Sequence, residues 1–327
     1  MSAITKAILL VGGKGTRLMP LTTNVPKPML RIAGAPVTEH QIVKAREAGV
    51  DEIVLATSYL ADVFKPYFGD GSRFGIKIKY AFENQPLGTG GAIANAAAEL
   101  ALSSNESIYI FNGDVLSSHD LRAQSDLHFK KSASATLHLV EVDDARAYGC
   151  VPLSPDGKVL DFLEKMDNPI AKTINAGCYI FSSDALSRIP SGVVTSVERE
   201  TFPLLLKSGG TIFGYCESEY WIDMGTPASM IKASSDLIMN PHISRATPQV
   251  RQERLVSPTA NIHPSAKVAA GSFVEDRVGI GENSQVLGSI IGADSMIERD
   301  VFIENSYLAP GSRVKSGSKL RGEIFGF

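Results

Sequence analysis

Cysteine is scarce in these 327 residues: Cys150, Cys178 and Cys216 are odd in number and far apart. They supply neither a disulfide framework nor the close pairs of a zinc site, and they suit a reducing compartment, so a cytoplasmic protein is expected. Excess charge is equally lacking. A formal net charge of −3 argues against a general electrostatic grip on nucleic acid. No apolar run approaches the roughly 20 residues of a membrane span, and Ala7–Val11 lacks the basic start of a signal peptide, so no membrane partner is expected. The histidines, His40, His119, His128, His138, His242 and His263, show no ligand spacing and are read as surface or internally satisfied residues. What is abundant is ordinary: 44% hydrophobic and 20% charged residues, the profile of a globular chain long enough for two domains.

The first region, residues 1–239, alternates short apolar strands with helical segments. Strands are expected at Lys6–Val11, Glu52–Thr57, Ile76–Phe82, Ser107–Asn112 and Ala135–Glu141, with helices between them. Such alternation implies an α/β fold with a mixed, mainly parallel sheet. Later strands are expected at Val159–Leu163, Ile174–Phe181 and Thr211–Tyr215, and helices at Ser196–Ser208 and Pro227–Met239. Residues 240–261, with three prolines, read as a linker. From Ile262 to residue 327 the rhythm becomes six: Ile262, Val268, Val274, Ile280 and Val286, then Ile291, Ile297 and Ile303 after a one-residue shortening. One aliphatic per hexapeptide predicts a parallel β-helix of about three coils.

The densest chemistry follows the first strand. Val11-Gly12-Gly13-Lys14-Gly15-Thr16-Arg17-Leu18 and Pro26-Lys27-Pro28 join a glycine-rich bend to two cations. Glycines let backbone N–H groups approach phosphate oxygens. Leu18 stands where a dinucleotide fingerprint needs glycine, and no Walker loop matches. A plain surface turn explains the glycines but not Arg17 and Lys27. Gly88-Thr89-Gly90-Gly91 opens an alanine-rich helix, where a flat base can lie on the backbone, or where Thr89 acts as a cap. Asp114 ends an apolar strand, and with Asp223 it makes a plausible Mg²⁺ site. The plainer reading of each is a turn or cap residue. Glu164 and Lys165 follow a strand as a sugar-binding pair or merely an exposed charged pair. Glu198, near a helix start, reads as a capping residue.

These segments resemble the sugar-1-phosphate nucleotidyltransferases. The resemblance rests on Gly12–Leu18 with Pro26-Lys27-Pro28, then Pro86-Leu87-Gly88-Thr89-Gly90-Gly91, Asn112-Gly113-Asp114-Val115 and Tyr148-Gly149-Cys150-Val151. It continues through Phe162-Leu163-Glu164-Lys165, Asn175-Ala176-Gly177 and Tyr220-Trp221-Ile222-Asp223-Met224-Gly225. Within that family the details are most similar to the mannose-1-phosphate guanylyltransferases, actinobacterial forms especially. The resemblance implies a Rossmann-like domain followed by a left-handed β-helix, and α-D-mannose 1-phosphate and GTP as substrates. It implies direct attack of the sugar phosphate on the α-phosphorus, with Mg²⁺ on Asp114 and Asp223. Arg17 and Lys27 would hold the triphosphate and Lys165 the attacking phosphate. Val11, Gly12, Gly13, Gly15, Thr16, Gln85, Gly88 and Thr89 would bind nucleotide, and Gly149, Glu164 and Asn175 sugar. Gln85 stands where many guanylyltransferases have glutamate, and Met166 where the family commonly has proline. Rival expectations are a uridylyl- or thymidylyltransferase acting on glucose 1-phosphate, and a non-catalytic paralogue. The open ends of a short β-helix predict a homo-oligomer.

Overall fold

The computed structural model describes residues 3–58, 60–163, 166–248 and 253–327. The chain divides into two compact units, Met1–Gly13 with Lys44–Trp221, and Lys14–Val43 with Ile222–Phe327.

The first unit is built on a seven-stranded sheet: β1 (Lys6–Leu10), β2 (Glu52–Thr57), β3 (Lys77–Phe82), β4 (Ser107–Asn112), β5 (Ala135–Glu141), β6 (Thr173–Ser182) and β7 (Ile212–Cys216). Their spatial order is β7-β5-β6-β4-β1-β2-β3. The chain builds outward from β1 through β2 to β3, then returns to place β4 on the other side of β1. All four of these strands run parallel. Strand β6 is antiparallel to both β4 and β5, which makes the sheet mixed. β1 and β4 read as near-continuous apolar runs because helices cover both faces of a central parallel strand. Ile8, Val54, Ile108, Ile110, Leu137, Tyr179 and Phe181 are among the buried side chains of that core.

Two local expectations fail for physical reasons. Val159–Leu163 forms isolated bridges, Leu153 with Val159 and Cys150 with Leu163, instead of a strand. Ser196–Ser208 is not one regular helix. A π-helical turn, Val197–Thr201, precedes the α-helix Phe202–Lys207. Pro203 has no N–H to return to residue 199, so the ladder loosens there.

In the second unit, thirteen strands from Arg254 to Phe325 form three parallel sheets of five, four and four strands, a left-handed β-helix. The register steps by 18 residues from Arg254 to Ser272, and by 17 from Ile290 to Tyr307 and from Tyr307 to Ile324. The one-residue shortening seen in the sequence is therefore a repeating feature of the later coils. Val268, Val274, Ile280, Val286, Ile291, Ile297, Ile303, Leu308, Val314 and Leu320 stack inside. Ser272, Ser289 and Ser306, 17 apart, accept in turn the N–H of Ser289, Ser306 and Glu323 on the next coil. The first coil begins at Arg254, within the segment expected to be linker, and Pro241–Ile243 there forms a 3-10 turn.

Residues 14–43 belong with the β-helix and not with the sheet they follow in sequence. Ala33 N–H donates to Ser234 Oγ (3.0 Å), His40 Nδ1 lies 2.7 Å from Ser244 Oγ, and Arg31 Nη1 lies 3.4 Å from Glu275 Oε1. Ser234 lies on the helix Pro227–Met239, which Thr226 caps by accepting from Ser229 N–H.

Candidate active site

In an open sheet, ligands bind beyond the strand C-termini where strand order reverses. Here that point lies between β1 and β4, whose ends pair Leu10 with Asn112. Val11 is buried and ties to Ala56 O. Gly12 accepts from Ser58 Oγ at 2.6 Å, and Gly13 is exposed, with open space where a side chain would stand. On the neighbouring strand end, Gly113 N–H donates to Leu10 O at 2.9 Å. A Cβ at Gly113 would stand 2.2 Å from that same carbonyl oxygen. The half-buried Asp114 thus leaves the sheet just after a residue joined to Leu10 and Val11. Gly113→Ala is expected to cost about 1–3 kcal/mol, the range for overpacking against a rigid neighbour. The readout is a lower midpoint in thermal or urea unfolding together with reduced turnover. A wild-type midpoint would show that the two strand ends are not closely joined.

The glycine turn before the helix Gly88–Ala97 is clamped by a distant segment. Gly88 has φ +71, and a Cβ there would stand 2.6 Å from Thr195 O. Gly90 and Gly91 donate to that oxygen at 2.8 and 3.3 Å, and Thr195 N–H donates to Leu87 O. The Thr89 hydroxyl does not cap its helix. It accepts from Val197 N–H at 2.9 Å. Gln85 is exposed in the loop ahead of this turn, and Leu87 N–H donates to Glu83 Oε2 at 3.4 Å.

Gly149 and Asn175 line one cavity of about 580 Å³, together with Tyr148, Cys150, Glu198 and Arg199. Asn175 Nδ2 donates to Tyr179 Oη at 2.8 Å and to Glu198 Oε1 at 3.4 Å, while its Oδ1 accepts from Gly177 N–H. Trp221 Nε1 donates to Ala176 O and its ring meets Tyr148 edge-on, so it packs against this wall. Glu164 and Lys165 lie outside the described residues.

The second unit gathers the remaining expected residues. Gly15 sits at φ +61 with its oxygen accepting from Thr22 Oγ1, and Thr16 opens the 3-10 turn Thr16–Leu18. A Cβ at Gly15 would stand 3.0 Å from Lys27 Cβ, so the bend and the lysine are in contact. Lys27 is only 8% exposed, and its Nζ lies 3.9 Å from Asp223 Oδ1. The Arg17 guanidinium lies on Gly225, where a Cβ would meet Nη1 at 3.0 Å. Two cations and a carboxylate, separated by some 200 residues of chain, therefore gather around Gly15 and Gly225.

Sequence reading missed one buried cluster. The rings of His119 and His138 stack with centroids 3.7 Å apart. Their ligand atoms lie within 4.8 Å of those of Glu217. The Lys44 ammonium lies 2.8 Å from His119 Nδ1, and His119 Nε2 faces Gln124 Oε1 at 3.1 Å. Both ring nitrogens of His119 are thus engaged, and near-parallel rings do not aim their lone pairs at one point. We read the cluster as polar packing of the core. Burial, and then the Lys44 charge, push His138 down to about 3, and burial brings Lys44 down to about 8. Only folding brings these residues together, since they come from two strand ends, a strand and a helix.

Similarity to known proteins agrees with this geometry. The nucleotidyl transferase family matches residues 6–240. A mannose-1-phosphate guanylyltransferase of Mycobacterium tuberculosis is 44% identical over 299 residues, covering 91% of this chain and 82% of its own. Mannose-1-phosphate guanylyltransferase 1 of Arabidopsis thaliana is 32% identical, covering 98% of this chain and 91% of its own. Among solved structures, HddC from Yersinia pseudotuberculosis superposes with a TM-score of 0.61 at 30% identity, over 72% of this chain and all of its own. Among the described residues no helix is long and apolar enough to cross a membrane. With a glycine bend after its first strand, a carboxylate at the switch of a mixed sheet and a match across most of its length, the chain belongs to the nucleotidyl transferase family.

Proposed function

We propose that this protein is a mannose-1-phosphate guanylyltransferase, converting α-D-mannose 1-phosphate and GTP to GDP-mannose and diphosphate. The observation that carries it is the 44% identity, over 91% of the chain, to the Mycobacterium tuberculosis protein of that name. A structure of the related HddC in complex with GMP-PN supports a guanine nucleotide.

In this reading a phosphate oxygen of mannose 1-phosphate attacks the α-phosphorus of GTP. The bond to the β-phosphate oxygen breaks, and diphosphate leaves with the electron pair. No proton needs to be taken from the nucleophile, so the protein's task is alignment and charge stabilisation. Backbone around Gly12, Gly13 and Gly15, with Thr16, lies against the triphosphate. Arg17 and Lys27 counter the charge that builds on the leaving diphosphate. The turn Gly88-Thr89, with Gln85 ahead of it, receives the base. Gly149 and Asn175 receive the sugar, and Lys165 and Glu164 act with them. Asp114 and Asp223 are the residues that would hold Mg²⁺. Hard carboxylate oxygens beside phosphate oxygens are the donor set this ion takes. When bound it supplies neutralisation of phosphate charge.

We place the enzyme in the cytoplasm as a homo-oligomer. The last strands of the three β-helix sheets, Arg313–Val314, Lys319–Arg321 and Ile324–Phe325, are edge strands of the kind that pair with another chain.

The test is a panel of triphosphates (GTP, UTP, dTTP, ATP) against mannose, glucose and galactose 1-phosphates, read by diphosphate release. GTP with mannose 1-phosphate is expected to give the highest kcat/KM. A preference for UTP or dTTP with glucose 1-phosphate would overturn the assignment, and no turnover with any pair would favour a non-catalytic paralogue.

A further inference from the structure

Glu198 was expected to cap a helix, and the structure gives that task to others. Ser196 is the N-cap, accepting from Arg199 N–H at 3.2 Å, and Glu200 Oε1 reaches back to accept from Ser196 N–H at 2.8 Å. Reciprocal bonds of this kind satisfy a helix start without a further carboxylate. Glu198 instead faces the cavity that Gly149 and Asn175 line. Its Oε1 accepts from Asn175 Nδ2 and from Tyr179 Oη, both at 3.4 Å. Asn112 Nδ2 donates to the same tyrosine oxygen at 3.3 Å. Tyr179 is fully buried, so its ring is a rigid post for this network.

A carboxylate offers about four acceptor positions. Asn175 Nδ2 and Tyr179 Oη are among the groups that orient the Glu198 carboxylate. The π-helical turn Val197–Thr201 that carries it is the kind of irregularity found at functional sites. That turn is also tied to the expected nucleotide-binding glycines, through Thr195 O with Gly90 and Gly91, and through Val197 N–H with Thr89 Oγ1. A group on this turn is therefore held in register with the nucleotide turn by backbone bonds.

We infer that Glu198 is a sugar-recognition residue: its carboxylate, oriented by Asn175 and Tyr179, accepts hydrogen bonds from ring hydroxyls of the hexose 1-phosphate. This rests on the proposed function for the identity of the hexose and on the cavity for the site. A cavity of this size falls in the range that encloses small ligands. A carboxylate that accepts from hydroxyls discriminates against sugars lacking them, because an acceptor covered by the bound sugar is then left unmatched.

The experiment compares wild type with Glu198→Gln on mannose 1-phosphate and its 2-, 3-, 4- and 6-deoxy analogues at saturating GTP, with a thermal melt of each protein. The variant is expected to lose about 10–100-fold in kcat/KM for mannose 1-phosphate, the range for a hydrogen bond to a charged group. KM for GTP should change less than about two-fold, within the scatter allowed to an untouched contact. At one or two ring positions the wild-type penalty for the missing hydroxyl should shrink in the variant. An unchanged penalty at every position, or a loss shared equally by GTP, would overturn the inference. If Glu198→Gln does not fold, Glu198→Asp carries the same comparison with the same deciding outcomes. If wild type prefers another hexose 1-phosphate, the proposed function fails, and the deoxy series of that sugar tests Glu198 independently.

Discussion

Asp114→Asn is expected to cut turnover by about 10²–10⁴-fold, the range for removing one preorganised electrostatic stabiliser, while the fold stays intact. The substitution keeps the side chain's shape and removes its charge. Asp114 sits at the end of β4 after Gly113, which is anchored to Leu10 O, so its backbone position does not depend on the carboxylate. The chemistry it is proposed to support does depend on that carboxylate, because four or more phosphate charges converge on the reacting phosphorus. Turnover should be measured across a Mg²⁺ titration, with far-UV circular dichroism and a melt as folding controls. A variant that keeps wild-type rates at limiting Mg²⁺ would remove Asp114 from the mechanism. Asp223, beside Lys27, is expected to fall in the same class of effect.

Acid should destabilise the protein well above the pH at which carboxylates titrate. His40, His128 and His138 are buried at 1–2% exposure, and burial holds the first two down to about 4 and the third to about 3. Each is a base whose folded pKa lies below its unfolded value of about 6.5. Between those limits the unfolded chain binds the proton and the folded chain does not. Stability is therefore intact above pH 6.5 and is lost as pH falls toward 4. At pH 5 each group contributes a loss of about 2 kcal/mol, about 6 kcal/mol for the three together. Lys44 does not add to this slope. Its folded pKa, brought down to about 8 by burial, leaves it charged in both states between pH 5 and 7. The melting midpoint should thus drop by about 10–20 °C from pH 8 to pH 5. Replacing His138 with glutamine should make this slope shallower by the same linkage, while His119, which burial also holds well below its usual value, keeps contributing to it. A midpoint flat to pH 5 would mean that these rings are protonated in the folded protein or are not buried.

The sheet and the β-helix were each readable because each carries its own period. Short apolar runs separated by helical segments specify a covered sheet, and all seven strands of that sheet fall within a few residues of where the sequence puts them. The β-helix was legible for the same reason. Its inward positions are spaced by the geometry of one coil, so Val268, Val274 and Ile280 announce it without any long-range information. Its start was not legible. Arg254-Leu255-Val256 pairs with Ser272-Phe273-Val274, but one three-residue strand near two prolines has no period of its own. Val159–Leu163 was expected as a strand and forms isolated bridges, because an apolar stretch beside a turn looks the same whether it forms a ladder or single bridges.

At the site, residue types were legible and their company was not. Glycines followed by Arg17 and Lys27 carry the expectation of phosphate chemistry along the chain itself, since few structural needs call for both. That Asp223 stands 3.9 Å from Lys27, that Thr195 clamps Gly90, and that residues 14–43 belong with the β-helix are contacts across one to two hundred residues. Local propensity carries no record of such pairings. Glu198 shows the limit most clearly. Its neighbours along the chain allow a cap, a surface charge or a ligand contact, and the choice falls only when Ser196 and Glu200 take up the cap and Tyr179 arrives from β6 to receive it. Periodicity and residue chemistry act over a few residues and so are written along the chain, whereas burial and hydrogen-bond partnership depend on which distant segments arrive at the same place.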